Sequence, residues 1–203
     1  MKLVVQQFLS LDGVCQGPGS PDEDTSDGFT RGGWFVPHLD AAFEQQAVDW
    51  LGRADALLFG RRTYESFARD WPEMTEHPCA QYLNGLPKYV ASRSLTRAGW
   101  NPTTILADAV PAQVAEVKRR PGRELQIHGS GRLAQSLLAA GLVDELRLVI
   151  APVVVGTGRR LFPDGGAPAG LRLLSSTTTP GGLAIHTYAS TGRPEYGTYG
   201  AEA

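Results

Sequence analysis

The chain has 203 residues, 42% hydrophobic and 20% charged, with a net charge of −2. That composition fits one globular domain and excludes a disordered chain, and the near-neutral balance gives no electrostatic case for nucleic acid or an anionic membrane. No apolar run reaches the roughly 18 residues that a membrane span requires, and Met1-Lys2-Leu3-Val4-Val5-Gln6-Gln7-Phe8 is interrupted too early for a signal peptide.

In chain order, Lys2 to Leu9 reads as a strand. Gln16 to Gly33 is rich in Gly, Pro and acid (Asp22-Glu23-Asp24) and is longer than most structureless connections; a lid or a disordered segment is expected there. Phe43, Ala47, Trp50 and Leu51 share one helical face, which Asp40 is placed to cap. Ala54 to Phe59 reads as a buried strand, Lys88 to Ser92 as another behind Pro87, and Thr103 to Leu106 as a short fourth. Val110 to Arg119 is helical through Val114 and Val117. Glu124 to His128 is a strand, followed by a helix with the stripe Leu133, Leu137 and Leu138, for which Gly141 supplies a left-handed stop. Glu145 to Ala151 alternates Leu146, Leu148 and Ile150. Leu171 to Thr177 and Leu183 to Ser190 follow each other with no helix between, so an antiparallel hairpin is expected. This alternation predicts an α/β sandwich whose sheet is mixed and mostly parallel, spanning 1–190, with residues 191–203 as an aperiodic tail.

Three strand ends carry polar or cationic chemistry. Phe59-Gly60-Arg61-Arg62-Thr63-Tyr64-Glu65 delivers a Gly and two Arg to a helix start, where free N–H groups and the positive end of the helix dipole suit a phosphate. Arg in a first turn opposes the dipole, which favours a bound anion over a merely solvated turn. Gly129-Ser130-Gly131-Arg132 opens a second helix; its ordinary reading is a tight turn, and it comes too late in the chain for a Rossmann fingerprint. Ser92-Arg93-Ser94 is the third, equally open to simple turn chemistry. Asp12-Gly13 is a turn signal first and a catalytic carboxylate second. Cys15 and Cys79 read as free thiols of a reducing cytoplasm. His38, His77, His128 and His186 lack ligand spacing, so no metal is expected. There is no G-x-S-x-G, P-loop or Ser/His/Asp order to support a hydrolase or kinase.

Together these residues resemble the dihydrofolate reductase-like superfamily, in its branch related to the C-terminal reductase domain of bifunctional riboflavin-biosynthesis proteins. The resemblance rests on Ser10-Leu11-Asp12-Gly13, Phe59 to Glu65, Val90-Ala91-Ser92-Arg93, His128 to Gly131, Gly141 to Leu146, and Val155-Gly156-Thr157-Gly158-Arg159-Arg160-Leu161-Phe162-Pro163, in that order. It implies a three-layer sandwich and a cytoplasmic reductase acting on a small heterocyclic or imine-type substrate. NADPH would lie across the strand ends, held by Gly60, Arg61, Arg62 and Thr63 with Ser92 and Arg93 at one phosphate side. His128, Gly129, Ser130, Gly131 and Arg132 would hold the other. Asp12, Gly13, Trp34, His38 and Gly156 would border the substrate, with Asp12 and Asp40 as rival acids. Relatives of this kind dimerise, so a homodimer is expected. The fused zinc deaminase signature is absent, and a non-catalytic module that binds a nucleotide or small ligand is the alternative.

Overall fold

The structure, a computed structural model, describes residues 1–200; residues 201–203, the end of the expected tail, lie outside the described residues. The strands are β1 (Lys2–Ser10), β2 (Ala54–Gly60), β3 (Lys88–Ala91), β4 (Thr103–Leu106), β5 (Glu124–His128), β6 (Glu145–Ala151), β7 (Gly170–Thr178) and β8 (Ala184–Gly192). The helices are α1 (Ala41–Leu51), α2 (Arg61–Asp70), α3 (Ala80–Gly85), α4 (Val110–Arg119) and α5 (Gly131–Ala139). One sheet runs in the order β4-β3-β2-β5-β1-β6-β8-β7, with β8 antiparallel to both its neighbours and the other pairings parallel.

Both faces of the parallel part are covered, which is why β2 is a continuous apolar run rather than an alternation. Leu3 and Val5, Ala56 and Leu58, and Leu125 and Ile127 face α4 and α5 and meet Val114, Val117, Ala134 and Leu137. On the other face Phe8 packs with Phe43 and Trp50 of α1, while Leu57 and Phe59 meet Leu51, Tyr64 and Leu83. Each fully buried aliphatic side chain contributes about 1.5–3 kcal/mol. The expected stop at Gly141 forms: its φ is +67°, its N–H bonds the Leu138 carbonyl, and the Leu142 N–H bonds that of Leu137.

The alternation in β6 hides a polar seam. Arg147, opposite in direction to Leu146 and Leu148, is 1% exposed, pairs with Glu124 (2.7 Å) and Glu145 (2.8 Å), and lies over the Trp50 ring. Gln126 continues the seam by donating to the Trp50 carbonyl (2.6 Å) and accepting from Gln6 (2.8 Å). The 16–33 segment packs across the strand ends: Phe29 is buried, the Trp34 indole donates to the Gln16 carbonyl (2.8 Å), and Gln16 donates to the carbonyls of Asp24 and Ser26. Among the described residues no helix is long and apolar enough to cross a membrane.

Candidate active site

Because β2 and β5 are adjacent and parallel, the helices they launch begin side by side. The link is a hydroxyl. Ser130 sits in the left-handed region (φ 57°), directly after Gly129 (φ 59°), and its Oγ accepts from the Gly60 N–H at 2.9 Å. Turning outward for that bond, Ser130 does not cap its own helix, and neither α2 nor α5 has a side-chain cap at its start. Two sets of orphan N–H groups and two positive dipole ends therefore face the same space. That space is a cleft of about 820 Å³ lined by Gly60, Arg62, Thr63, Gly131 and Arg132, with Gly17 and Gly158 on its far wall. Doubled helix starts, glycines that admit backbone approach and clustered guanidinium groups fit a dinucleotide pyrophosphate.

Arginines from both sides close over the cleft. Arg62 donates to Ser26 Oγ (2.9 Å) and lies 3.8 Å from Asp24. Arg159 pairs with Asp24 and with Asp27 (2.8 Å) and donates to Ser26 Oγ (2.7 Å). The 16–33 segment is thereby tied to α2 and to the loop after β6. Arg61 turns away along α2 to Glu65 (2.7 Å) and Ser94 (2.7 Å).

The structure brings Gly60, Arg61, Arg62, Thr63, Ser130, Gly131 and Arg132 together around this cleft. Gly129 stands behind it, where a Cβ would lie 3.6 Å from the Thr63 methyl. Ser92 and Arg93 line a neighbouring hollow of about 440 Å³, which shares Ala91 and Leu133 with the cleft. His128 departs from its expected place: its ring points to the other face of the sheet, 3.2 Å from Gln126 Oε1 and beside Phe59. Burial, with Arg147 nearby, lowers its pKa to about 4, so the ring is neutral. Trp34 is a core residue that anchors the loop through its indole N–H.

The two expected acids are engaged elsewhere. Asp12 accepts from Ser10 Oγ (2.7 Å), Gly156 N (2.8 Å) and Val155 N (3.0 Å), and the Ser10 bond leads the causes that lower its pKa to about 2. Such a carboxylate holds the loop after β6 and has no proton to give near neutral pH. Gly13 and Gly156 belong to that loop junction, outside the cleft lining. Asp40 caps α1 through Phe43 N (2.8 Å) and also accepts from Gly181 N (2.6 Å) in the β7–β8 turn. His38 lies beside it, with its carbonyl against Gly181.

Cys15, Glu23, Asp24, Ser66, Arg159 and Arg160 also line the cleft. Arg159 and Arg160 stand in the Val155–Pro163 segment on which the resemblance rests; an acid-rich loop gives no sequence signal that separates Glu23 from its solvated neighbours. Burial raises the Cys15 thiol to about 11. Asp24 is held below the ordinary carboxylate range: desolvation raises it, but the Ser26 hydroxyl and Arg159 outweigh that.

Comparison with known proteins agrees with the fold. The family model of the RibD C-terminal domain matches residues 1–185. The uncharacterized protein YyaP of Bacillus subtilis is 29% identical over 191 residues, covering 92% of this chain and 94% of that one. Among solved structures, a candidate riboflavin biosynthesis protein from Shewanella sp. PV-4 superposes with a TM-score of 0.67 at 23% identity, covering 94% and 99% of the two chains. A pyrimidine reductase-like protein from Corynebacterium diphtheriae gives 0.61 at 14% identity, over 93% and 91%. A diaminohydroxyphosphoribosylaminopyrimidine deaminase/5-amino-6-(5-phosphoribosylamino)uracil reductase from Thermotoga maritima gives 0.61 at 10% identity, this chain spanning 56% of it.

Proposed function

The chain belongs to the RibD C-terminal domain family, and from that membership we propose that it is an NADPH-dependent reductase of a small heterocyclic or imine-type substrate. The observation that carries this reading is the pair of uncapped helix starts joined by Ser130 and Gly60. Thr63 and Arg62 at α2 and Gly131 and Arg132 at α5 would hold the pyrophosphate; Ser92 and Arg93 would serve the 2′-phosphate side. Bound there, the nicotinamide supplies hydride. The protein's part is to position the substrate beside it and keep water out, which the loop tied down by Arg62 and Arg159 is placed to do. The substrate class is supported by the names of the neighbours, a pyrimidine reductase-like protein and a phosphoribosylaminouracil reductase.

Titration of the protein with NADPH and NADH, followed by fluorescence, tests the reading. Bidentate guanidinium contact to a doubly charged phosphate is worth about 1.5–3 kcal/mol, so NADPH is expected to bind about tenfold to a hundredfold tighter. Equal dissociation constants would remove the 2′-phosphate assignment; absence of binding by either would remove the function.

A further inference from the structure

With Asp12 and Asp40 both engaged as acceptors, the cleft needs another source for the proton that accompanies hydride. Resting on the reductase reading, we propose that Glu23 is the acid of the reaction, delivering its proton to substrate from the loop wall of the cleft.

Three acids line the cleft, Glu23, Asp24 and Asp164. Asp24 is a fixed negative charge, paired with Arg159 and near Arg62. Asp164 is exposed at the rim. Glu23 is half-buried and forms no ion pair within 4 Å among the described residues, and its Oε2 accepts from Gly19 N (2.5 Å). That bond fixes one carboxyl oxygen to the loop. Two neighbouring carboxylates bear on it. Asp24 on its own loop and Asp70 at the end of α2 both repel a second negative charge. Arg69, the cation on that side, acts on Glu23 through its charge but is hydrogen-bonded to Asp70 at 2.6 and 2.8 Å. Arg62 and Arg159 are committed to Ser26, Asp24 and Asp27. Burial is the largest cause and raises the Glu23 pKa, against the opposing bonds from Gly19 and Ser20. A carboxyl on the cleft wall whose pKa is raised holds its proton to higher pH than an ordinary Glu, which suits a donor.

The step balances. Hydride forms a C–H bond at the carbon of a C=N or C=O bond of the substrate. The π pair of that bond moves to the heteroatom and takes the proton as the Glu23 O–H bond breaks. The Glu23 carboxylate then regains a proton from solvent.

Carboxyl-carbon NMR of the full chain, with Glu23→Gln used to assign the resonance, reads this role without turnover. Free protein should show Glu23 titrating above Asp24, and its midpoint should rise further when NADPH fills the cleft. Glu23→Gln should bind NADPH with the wild-type dissociation constant, since it keeps shape and polarity. With 5-amino-6-(5-phosphoribosylamino)uracil as the probe, kcat should fall about 10²–10⁴-fold in Glu23→Gln and recover in part in Glu23→Asp. A Glu23 that titrates in the ordinary carboxylate range with NADPH bound overturns the proposal, as does a Gln variant that turns over at the wild-type rate. Failure of the wild type to bind NADPH overturns the functional reading instead.

Discussion

Ser130 joins the two helix starts through a single hydroxyl, so its removal should be felt at both. Ser130→Ala leaves the half-buried Gly60 N–H without its acceptor, a loss of about 1–3 kcal/mol, and lets the α2 and α5 turns separate. Urea denaturation should show the destabilisation and NADPH titration a weaker complex; unchanged values in both would show the bond to be incidental. Gly131 makes a sharper test. A Cβ there would sit 3.0 Å from Cys15 Sγ before any cofactor enters. Cys15→Ala should therefore relieve the stability cost of Gly131→Ala but not its effect on NADPH binding. If the double variant binds NADPH normally, the glycine serves packing against Cys15 alone. His128 adds a pH dependence. Its folded pKa of about 4 lies below the unfolded value of about 6.5. Between those values the unfolded chain binds the extra proton, so stability falls as pH falls from about 6.5 to about 4. Melting temperatures across that range should flatten in His128→Asn.

At the scale of elements, the buried seam under α1 ties β5 and β6 to the helix. Arg147→Ala would leave the partly exposed Lys2 (3.8 Å from Glu124, 2.6 Å from Glu145) as the remaining cation of the pair and should cost up to about 3–5 kcal/mol by chemical denaturation. A loss below about 1 kcal/mol would mean that water reaches the seam. That seam also marks where sequence reasoning runs out. Period-two apolar residues located β5 and β6, because burial of one face forces the alternation. They do not reveal that the opposite face is covered too, since Glu145 and Arg147 look like solvated residues until α1 is placed over them. The helix starts at Arg61 and Gly131 were legible because glycine and arginine at a strand end carry local backbone and electrostatic meaning. The loop wall was not: Glu23, Arg159 and Asp24 acquire their roles from contacts between segments far apart in the chain. Asp40 is legible as a cap because Asp before an apolar helical face accepts from the third residue on, as it does from Phe43 N. Asp40→Asn, which still accepts from Phe43 N, should leave turnover unchanged.

For the whole molecule, the sheet has an open side. β7 is an edge strand with Leu173 52% and Leu174 46% exposed, and an apolar edge of this kind invites pairing with another chain. We propose a homodimer built on the β7–β8 hairpin. Light scattering at micromolar protein should give twice the chain mass, reduced to one chain by Leu173→Lys; a wild-type monomer would end the proposal. Cofactor binding depends on one location, the joined starts of α2 and α5, if the chain is the reductase proposed. Amide hydrogen exchange followed by mass spectrometry, with and without saturating NADPH, probes it directly. Added protection is predicted at residues 61–63 and 131–133 together, since both sets of free N–H groups would gain acceptors from one pyrophosphate. Protection confined to other segments, with these two turns unchanged, would contradict the account.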